Sequence, residues 1–147
     1  IKAAYDYQDN TFHSHPGYYI DYFEMRLAQL QVLHNLHYEI KKIRKMPKQA
    51  LVIADYIMYM ADYVVEMNIP DQQIEKLEEI SEQMKQEELP KTREEFEGRA
   101  LLYHILMDLE EFLVYKKRFV NGLDEKKLRI YWKQEMEQKD SANELQK

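Results

Sequence analysis

The residues of this chain that would bind a metal are few and widely spaced. Its five histidines lie at positions 13, 15, 34, 37 and 104. His34 and His37 are three residues apart on one predicted helix, but structural zinc takes four ligands and no third ligand is evident. A di-iron helical bundle needs a glutamate three residues before a histidine on two helices, and no histidine here has one. We therefore predict no metal site and no cofactor.

Catalytic motifs are also missing from the sequence. It contains no Ser-His-Asp arrangement, no glycine-rich phosphate loop and no dinucleotide-binding fingerprint that can be picked out. The absence of cysteine excludes thiol catalysis and a disulfide framework. We predict no catalytic residue and expect that the protein is not an enzyme.

Aromatic and arginine side chains are the remaining candidates for a binding site. The chain has twelve tyrosines, several of them clustered beside Phe23 near the start of a predicted helix. Such tyrosines usually form a core whose hydroxyl groups reach the solvent boundary. The alternative is an aromatic-lined pocket that holds a ligand carboxylate. The arginines that would pair with that carboxylate are Arg26, Arg93 and Arg99.

The overall composition argues against nucleic-acid binding and favours helices. The net charge is −6, with Lys+Arg 21 against Asp+Glu 27, whereas nucleic-acid binders neutralise phosphates with an excess of positive charge. Residues 51–100 alone carry 13 acidic and 5 basic side chains. Only 3 glycines and 4 prolines are present, too few for the many turns of a β-sandwich. Helix-forming residues are plentiful, so the composition predicts an all-α protein.

Apolar residues recur every three or four positions in four segments, which is typical of helices that bury one face. We predict main helices at Tyr18–Lys45, Lys48–Met67, Asp71–Glu88 and Thr92–Phe119. Together they predict an antiparallel up-and-down helical bundle of four main helices, with short extra helices at 1–10 and 124–137. The bundle domain spans 1–137, and 138–147 is a frayed polar tail.

The same spacing predicts which face of each helix points inward and where the last helix begins and ends. For the first helix the predicted inward residues are Phe23, Leu27, Leu30, Leu33, Leu36 or His37, Ile40 and Ile43. For the second helix they are Ala50, Ala54, Ile57, Ala61 and Val64, with Leu51, Met58 and Val65 beside them. For the third helix they are Ile74, Leu77, Ile80 or Ser81, and Met84. For the fourth helix they are Phe96, Leu102, Ile105 or Leu106, Leu109, Phe112 or Leu113, and Phe119. Thr92 and Glu95 predict a capping box at the start of the fourth helix, and Gly122 predicts a left-handed residue after its end.

Two stretches of the sequence resemble a known family. Leu89–Leu102 reads LPKTREEFEGRALL and Asp108–Leu113 reads DLEEFL. Both are similar to the C-terminal domain of the "putative aromatic acid exporter" family of bacterial membrane proteins, and Tyr22–Arg26 (YFEMR) resembles that family's other signature. The resemblance covers about 1–117. One departure is Gly98, where the resemblance leads us to expect asparagine.

The resemblance implies a longer protein with an N-terminal transmembrane domain, followed by this helical domain on the cytoplasmic side of the bacterial cell membrane. It implies a non-enzymatic accessory domain that serves assembly or regulation, with its own transmembrane domain as partner. In an up-and-down bundle, Lys116, Lys117 and Arg118 fall near the start of the first helix, where they would contact anionic lipid. Alternatively, these three residues complement the dipole at the end of their own helix.

Two other functions stay open from the sequence. One is a sensor that binds a small aromatic carboxylate between helices. The other is a protein-interaction module that forms homo-oligomers through exposed apolar surface on the first or last helix. We expect Arg93 and Arg99 to pair between helices with Glu24, Glu97 or Asp108. The candidate inter-helix or ligand-contacting residues are Tyr22, Phe23, Arg26, Arg93, Glu97, Arg99 and Asp108.

Overall fold

The computed structural model describes residues 16–43, 47–123, 127, 128, 130 and 132. Its helices are α1 (Pro16–Lys41), α2 (Ala50–Ala61), α3 (Asp71–Lys85) and α4 (Arg93–Asn121). The described residues contain no strand, and none of their helices is long and apolar enough to cross a bilayer. The predicted all-α fold with four main helices is confirmed. The predicted helix at 1–10 and the tail at 138–147 lie outside the described residues.

Contacts between the helices show an up-and-down bundle in which α4 is central. The rings of Tyr18, near the start of α1, and Phe119, near the end of α4, have centroids 5.5 Å apart. At the other end of α1, Glu39 Oε1 lies 3.6 Å from Nε2 of His104. α1 therefore runs antiparallel to α4, and α3 does so as well. α4 packs against each of the other three helices, and α2 also packs against α3.

The core forms around α4 and the inward faces of α2 and α3. Leu102, Ile105 and Leu109 of α4 are almost completely buried. Tyr56 of α2 is the largest fully buried side chain, and its hydroxyl donates to the carbonyl of Gln73 at 2.6 Å. Burying each large aliphatic side chain contributes about 1.5–3 kcal/mol, so these contacts stabilise the bundle.

α1 buries mainly the face opposite to the predicted one, although the predicted Leu36 is buried and Ile43 packs against the core. Phe23, Leu27 and Leu30 were predicted to point inward, but they are 40%, 47% and 60% exposed. Nine residues are about 2.5 turns of an α-helix, so Phe23 and the buried Val32 lie on opposite faces. Because α1 has apolar side chains on both faces, spacing alone selects the wrong one. The buried side chains of α1 are Tyr18, Met25, Gln29, Val32 and Leu36.

The predicted inward line of α2 is also largely wrong. Ala54 and Ala61 are exposed, whereas the buried side chains are Ala50, Ile53, Tyr56 and Met60. α2 is apolar nearly all round, so its spacing does not favour one face. The α3 prediction fares better, since Leu77, Ile80 and Met84 are buried as expected.

Three helices end before the predicted residue. α1 ends at Lys41 rather than Lys45, and α3 ends at Lys85 rather than Glu88. Both ends tighten into turns with hydrogen bonds between residues three apart, as is common at helix ends. α2 ends at Ala61 rather than Met67. The backbone turns after Ala61 and leads into the loop before α3. We call residues 62–70 the α2–α3 loop.

The ends of α4 confirm part of the predicted capping. Thr92 Oγ1 accepts a hydrogen bond from the amide of Glu95 at 3.1 Å, as predicted. Glu95 Oε2, however, accepts from the amide of Lys91 at 2.9 Å rather than from that of Thr92. Gly122 has φ −75°, so the predicted left-handed residue is wrong. Its amide donates to the carbonyl of Arg118, and the chain leaves the helix without a positive φ.

Candidate functional site

The seven candidate residues lie in three separate places. α4 spans 29 residues and is therefore about 43 Å long, so its two ends are far apart. Because α1 is antiparallel to α4, the start of α1 and the start of α4 lie at opposite ends of the bundle. At the start of α1 are Tyr22, Phe23 and Arg26; in the middle of α4 is Asp108; near the start of α4 are Arg93, Glu97 and Arg99.

Lys116 of α4 is a buried cation beside the start of α1. Its Nζ donates to the backbone carbonyls of Val65 at 2.8 Å and Glu66 at 2.5 Å. The same Nζ lies 6.0 Å from the ring centroid of Tyr22 and 5.8 Å from that of Trp132. Burial, reinforced by the nearby Arg26 charge, lowers the pKa of Lys116 to about 8. Lys116 therefore holds the α2–α3 loop against α4.

Tyr18 connects the same loop to the first turn of α1. Its hydroxyl donates to Glu66 Oε1 at 2.8 Å and accepts from Nε1 of the buried Trp132 at 3.0 Å. Burial is the main reason that the pKa of Tyr18 is raised, so the hydroxyl keeps its proton and remains a donor. We call this group the lysine–aromatic cluster; its members are Tyr18, Tyr22, Arg26, Gln29, Glu66, Lys116 and Trp132.

Arg26 and Gln29 complete the cluster on the side of α4. Arg26 donates from Nε to the hydroxyl of Tyr22 at 3.1 Å and from Nη1 to Gln29 Oε1 at 2.7 Å. Gln29 Nε2 in turn donates to the carbonyl of Phe112 at 2.8 Å. The cavity beside Arg26 and Gln29 measures only about 10 Å³, room for about one water molecule. This cavity is too small for an aromatic carboxylate.

Asp108 is buried at the interface between α1 and α4. Its Oδ2 has no hydrogen-bond partner among the described residues, and Nε2 of His104 lies 3.9 Å from it. Burial raises the pKa of Asp108, an effect that the charge of His104 opposes. The expected partners Arg93 and Arg99 do not reach Asp108, since they lie further towards the start of α4.

The two arginines near the start of α4 do not form the expected ion pairs between helices. Arg93 Nε lies 3.1 Å from Glu97 Oε1, but both residues belong to α4 and both side chains are exposed. Such surface pairs contribute little to stability. Arg99 Nη1 donates to the backbone carbonyl of Glu88, beyond the end of α3. Arg99 thus does join two elements, although through a carbonyl rather than a carboxylate.

Arg99 also borders two open grooves at the turn between α3 and α4. The larger has a volume of about 640 Å³ and is lined mainly by charged and polar side chains from that turn and the start of α2. The smaller has a volume of about 440 Å³, within the range of small-molecule sites. We call the smaller one the Arg99 groove; its apolar lining consists of Met84, Leu89, Pro90, Phe96, Ala100 and Tyr103.

The three basic residues predicted to contact lipid have different surroundings. They lie at the end of the bundle where α1 begins, as expected. Lys116, however, is buried against backbone carbonyls, so it is not accessible to a lipid headgroup. Lys117 pairs with Asp71 at the start of α3, and Arg118 is exposed. Contact with anionic lipid stays a prediction that rests on Lys117 and Arg118.

Sequence reasoning missed Gln29 and assigned Lys116 a different role, contact with lipid or with the helix dipole, although both residues are central to the cluster. Gln29 stands between the buried Met25 and Val32, and Lys116 stands on the stripe that buries Leu113 and Val120. Each occupies a position where the helical repeat expects an apolar side chain. A polar residue on the buried stripe is therefore the signal that would have found them, although for α1 it requires knowing which face is inward.

Comparison with known proteins gives one family and two relatives. The family model described as "Putative aromatic acid exporter C-terminal domain" matches residues 1–117. "Uncharacterized protein YqjA" of Bacillus subtilis (strain 168) is 29% identical over 118 residues, which are 80% of this chain and 37% of that protein. This chain thus spans little more than a third of the length of that relative.

A solved structure has a similar fold. It carries the description "Crystal structure of putative membrane protein from Clostridium difficile 630", with a TM-score of 0.68 and 28% identity. The match covers 80% of this chain and 69% of that one. Within the part of our chain that the structure describes, no three histidine, aspartate or glutamate side chains are grouped to hold a metal ion.

Proposed function

This chain belongs to the "Putative aromatic acid exporter C-terminal domain" family, and on that premise we propose that it is an accessory domain of an exporter-like membrane protein. In this proposal the domain is not an enzyme, lies on the cytoplasmic side of the membrane and serves assembly or regulation. Its partner is the transmembrane domain that precedes it. The greater length of the relative from Bacillus subtilis supports the existence of such a preceding part.

The lysine–aromatic cluster is the observation that supports this role most directly. It connects the first turns of α1, the α2–α3 loop, α4 and Trp132 through hydrogen bonds of Tyr18 and Lys116. In the proposed arrangement the start of α1 lies nearest the membrane. A displacement of α1 would break the two hydrogen bonds of Tyr18, so the cluster couples the position of α1 to the α2–α3 loop that Lys116 holds against α4. That coupling suits assembly or regulation rather than catalysis.

The proposal is tested in the full-length protein by removing this domain and, separately, by Lys116→Met. We expect both changes to lower the amount of protein in the membrane or to alter efflux of aromatic carboxylates per molecule. Lys91→Met is the matched control, because the Lys91 side chain is 80% exposed, lies outside the cluster and should have little effect. An unchanged amount and an unchanged efflux after removal of the domain would contradict the accessory role, as would turnover of a substrate by the isolated domain.

The Arg99 groove supports a second candidate, a sensor for a small aromatic carboxylate. Of the three arginines predicted to pair with a carboxylate, Arg99 is the one that borders a groove of ligand size lined by aromatic side chains. A benzoate ring would pack between Phe96 and Tyr103 while its carboxylate pairs with the guanidinium. Calorimetric titration with benzoates tests this: Arg99→Gln should abolish binding, Arg93→Gln should leave it intact, and no heat at millimolar ligand would exclude the sensor.

A further inference from the structure

The exposed face of α1 carries an apolar seam with the spacing of a coiled coil. Successive members are three or four residues apart in strict alternation, which is the repeat that keeps one line of side chains facing a partner helix. Phe23, Leu27 and Leu30 are all substantially exposed. We call this line the α1 seam; its members are Ile20, Phe23, Leu27, Leu30, His34, His37 and Lys41.

The α1 seam is continuous and has no partner among the described helices. α1 packs closely against α4 alone, and it does so through the opposite face, which includes Val32 and Leu36. Leu33 and Tyr38 flank the seam and are also exposed, so the apolar surface is wider than a single line. The seam runs for about 31 Å along the helix; its apolar members, Ile20 to Leu30, occupy about 15 Å, and polar side chains continue the line. Contiguous exposed apolar surface of this kind marks an interaction site.

We propose that the α1 seam packs against the same seam of a second copy of this chain, with the two helices antiparallel. The exposed Glu24 flanks the seam near its start, and the exposed Lys41 and Lys42 lie at its end. An antiparallel pair places the acidic start of one helix beside the basic end of the other. A parallel pair would instead place Lys41 opposite Lys41 and Glu24 near Glu24, where like charges repel.

A second copy of the chain is the partner that matches the seam, because it offers apolar side chains and charges of both signs at the same spacing. In the antiparallel pair centred near Gln31, Leu30 packs against Leu30, while Leu27 and Phe23 pack against His34 and Tyr38 of the other copy. Both charged ends are then satisfied by one contact repeated twice. The inference extends the assembly part of the proposed function. It concerns a surface that shares no residue with the Arg99 groove and does not depend on which side of the membrane the domain occupies, so each idea can fail without the other.

Sedimentation of the isolated domain over a range of concentrations tests the interface. We expect a dimer, and we expect Leu30→Glu to raise its dissociation constant by about 100-fold or more while circular dichroism stays helical. Met58→Glu is the matched control, because Met58 is an equally apolar, exposed residue on α2 and should leave the dimer intact. A wild-type monomer at every concentration, or an unchanged dimer in Leu30→Glu, would overturn the proposal.

Disulfide cross-linking tests the antiparallel orientation, because the chain has no cysteine of its own. Gln31→Cys, near the middle of the seam, should cross-link to its own copy in the dimer. Glu24→Cys should not cross-link to itself but should cross-link to Tyr38→Cys when the two variants are mixed. Self-linking of Glu24→Cys would overturn the orientation. Another outcome is a wild-type monomer whose stability falls in Leu30→Glu. That result would show that another part of the same chain covers the seam, and it would also overturn the proposal.

Discussion

At the scale of single residues, three buried side chains of this domain donate hydrogen bonds to backbone carbonyls of other elements. Gln29 donates to the carbonyl of Phe112, Tyr56 to that of Gln73, and Lys116 to two carbonyls of the α2–α3 loop. Each such bond joins two elements that are distant in sequence. Because these roles depend on which carbonyl lies opposite, residue type and spacing could not have predicted them.

Replacing Lys116 by methionine should therefore destabilise the domain. The variant keeps most of the apolar stem but leaves the carbonyls of Val65 and Glu66 without their donor, and an unsatisfied buried polar group costs about 1–3 kcal/mol. Arg118→Met, at an exposed position, should change the free energy of unfolding by less than about 0.5 kcal/mol. Urea denaturation at pH 7 measures both, and equal stabilities would contradict the structural role of Lys116.

Asp108 should make the stability of the domain depend on pH. The pKa of Asp108 is raised in the folded state. Above the ordinary carboxyl range the unfolded chain therefore loses this proton more readily than the folded one. The free energy of unfolding falls as pH rises through that range. At pH 7 the ionised, buried group costs free energy, and Asp108→Asn should raise the free energy of unfolding by about 1 kcal/mol. Thermal melts should show that difference shrinking towards pH 4; a constant difference would contradict this account.

At the scale of helices, spacing predicts the inward face only where the opposite face is polar. α3 buries Leu77, Ile80 and Met84 as predicted, because its other positions are mostly glutamate, glutamine and lysine. α1 and α2 have apolar side chains on both faces. For these two helices the buried face is decided by tertiary contacts such as those of Gln29 and Tyr56, which no local pattern encodes.

The structure gives a reason for glycine at position 98, where the family resemblance leads us to expect asparagine. A Cβ atom at Gly98 would lie 3.1 Å from Cγ of Pro47, a tight contact that requires the proline ring to shift. Glycine therefore lets the segment before α2 approach α4 closely. This approach offsets part of the roughly 1 kcal/mol that glycine costs within a helix.

The start of α4 provides a prediction at the same scale. Thr92→Ala removes the acceptor of the Glu95 amide, and loss of such a cap costs about 1 kcal/mol. Arg93→Ala, one residue later, removes only an exposed pair within α4 and should cost less than about 0.5 kcal/mol. Chemical denaturation compares the two variants. A larger loss for Arg93→Ala would mean that the cap is not what fixes this helix start.

At the scale of the whole molecule, α4 is the helix that the others surround. The sequence left open whether Ile105 or Leu106 points inward, and likewise Phe112 or Leu113; all four are buried. A helix with neighbours on several sides buries more than one stripe. The sequence thus predicts the number and approximate extent of the helices, but the central position of α4 emerges only from their packing.

Core substitutions in α4 should accordingly be the most damaging. Leu109→Ala should cost about 2–5 kcal/mol, because the residue is almost fully enclosed and a cavity would remain. Leu51→Ala, on the exposed face of α2, should cost less than about 0.5 kcal/mol. Equal losses for the two variants, measured by urea denaturation, would contradict the described packing.

The candidate site was less predictable than the fold. The seven residues chosen from the sequence come from three matching stretches, and the structure places them in three separate positions along α1 and α4. Arg99 is a candidate ligand-binding residue because of the groove beside it. Residues before and after the α3–α4 turn form that groove. A site assembled from such segments depends on how the helices cross, which spacing does not specify.

The central claim is that this domain serves a membrane protein from the cytoplasmic side, and accessibility labelling tests it most directly. Leu89 is 84% exposed and lies at the end of the bundle away from the start of α1, so Leu89→Cys should react readily. In the full-length protein, with any other cysteines replaced, a membrane-impermeant maleimide should label this position only after the cells are permeabilised. Equal labelling of intact cells would contradict the account.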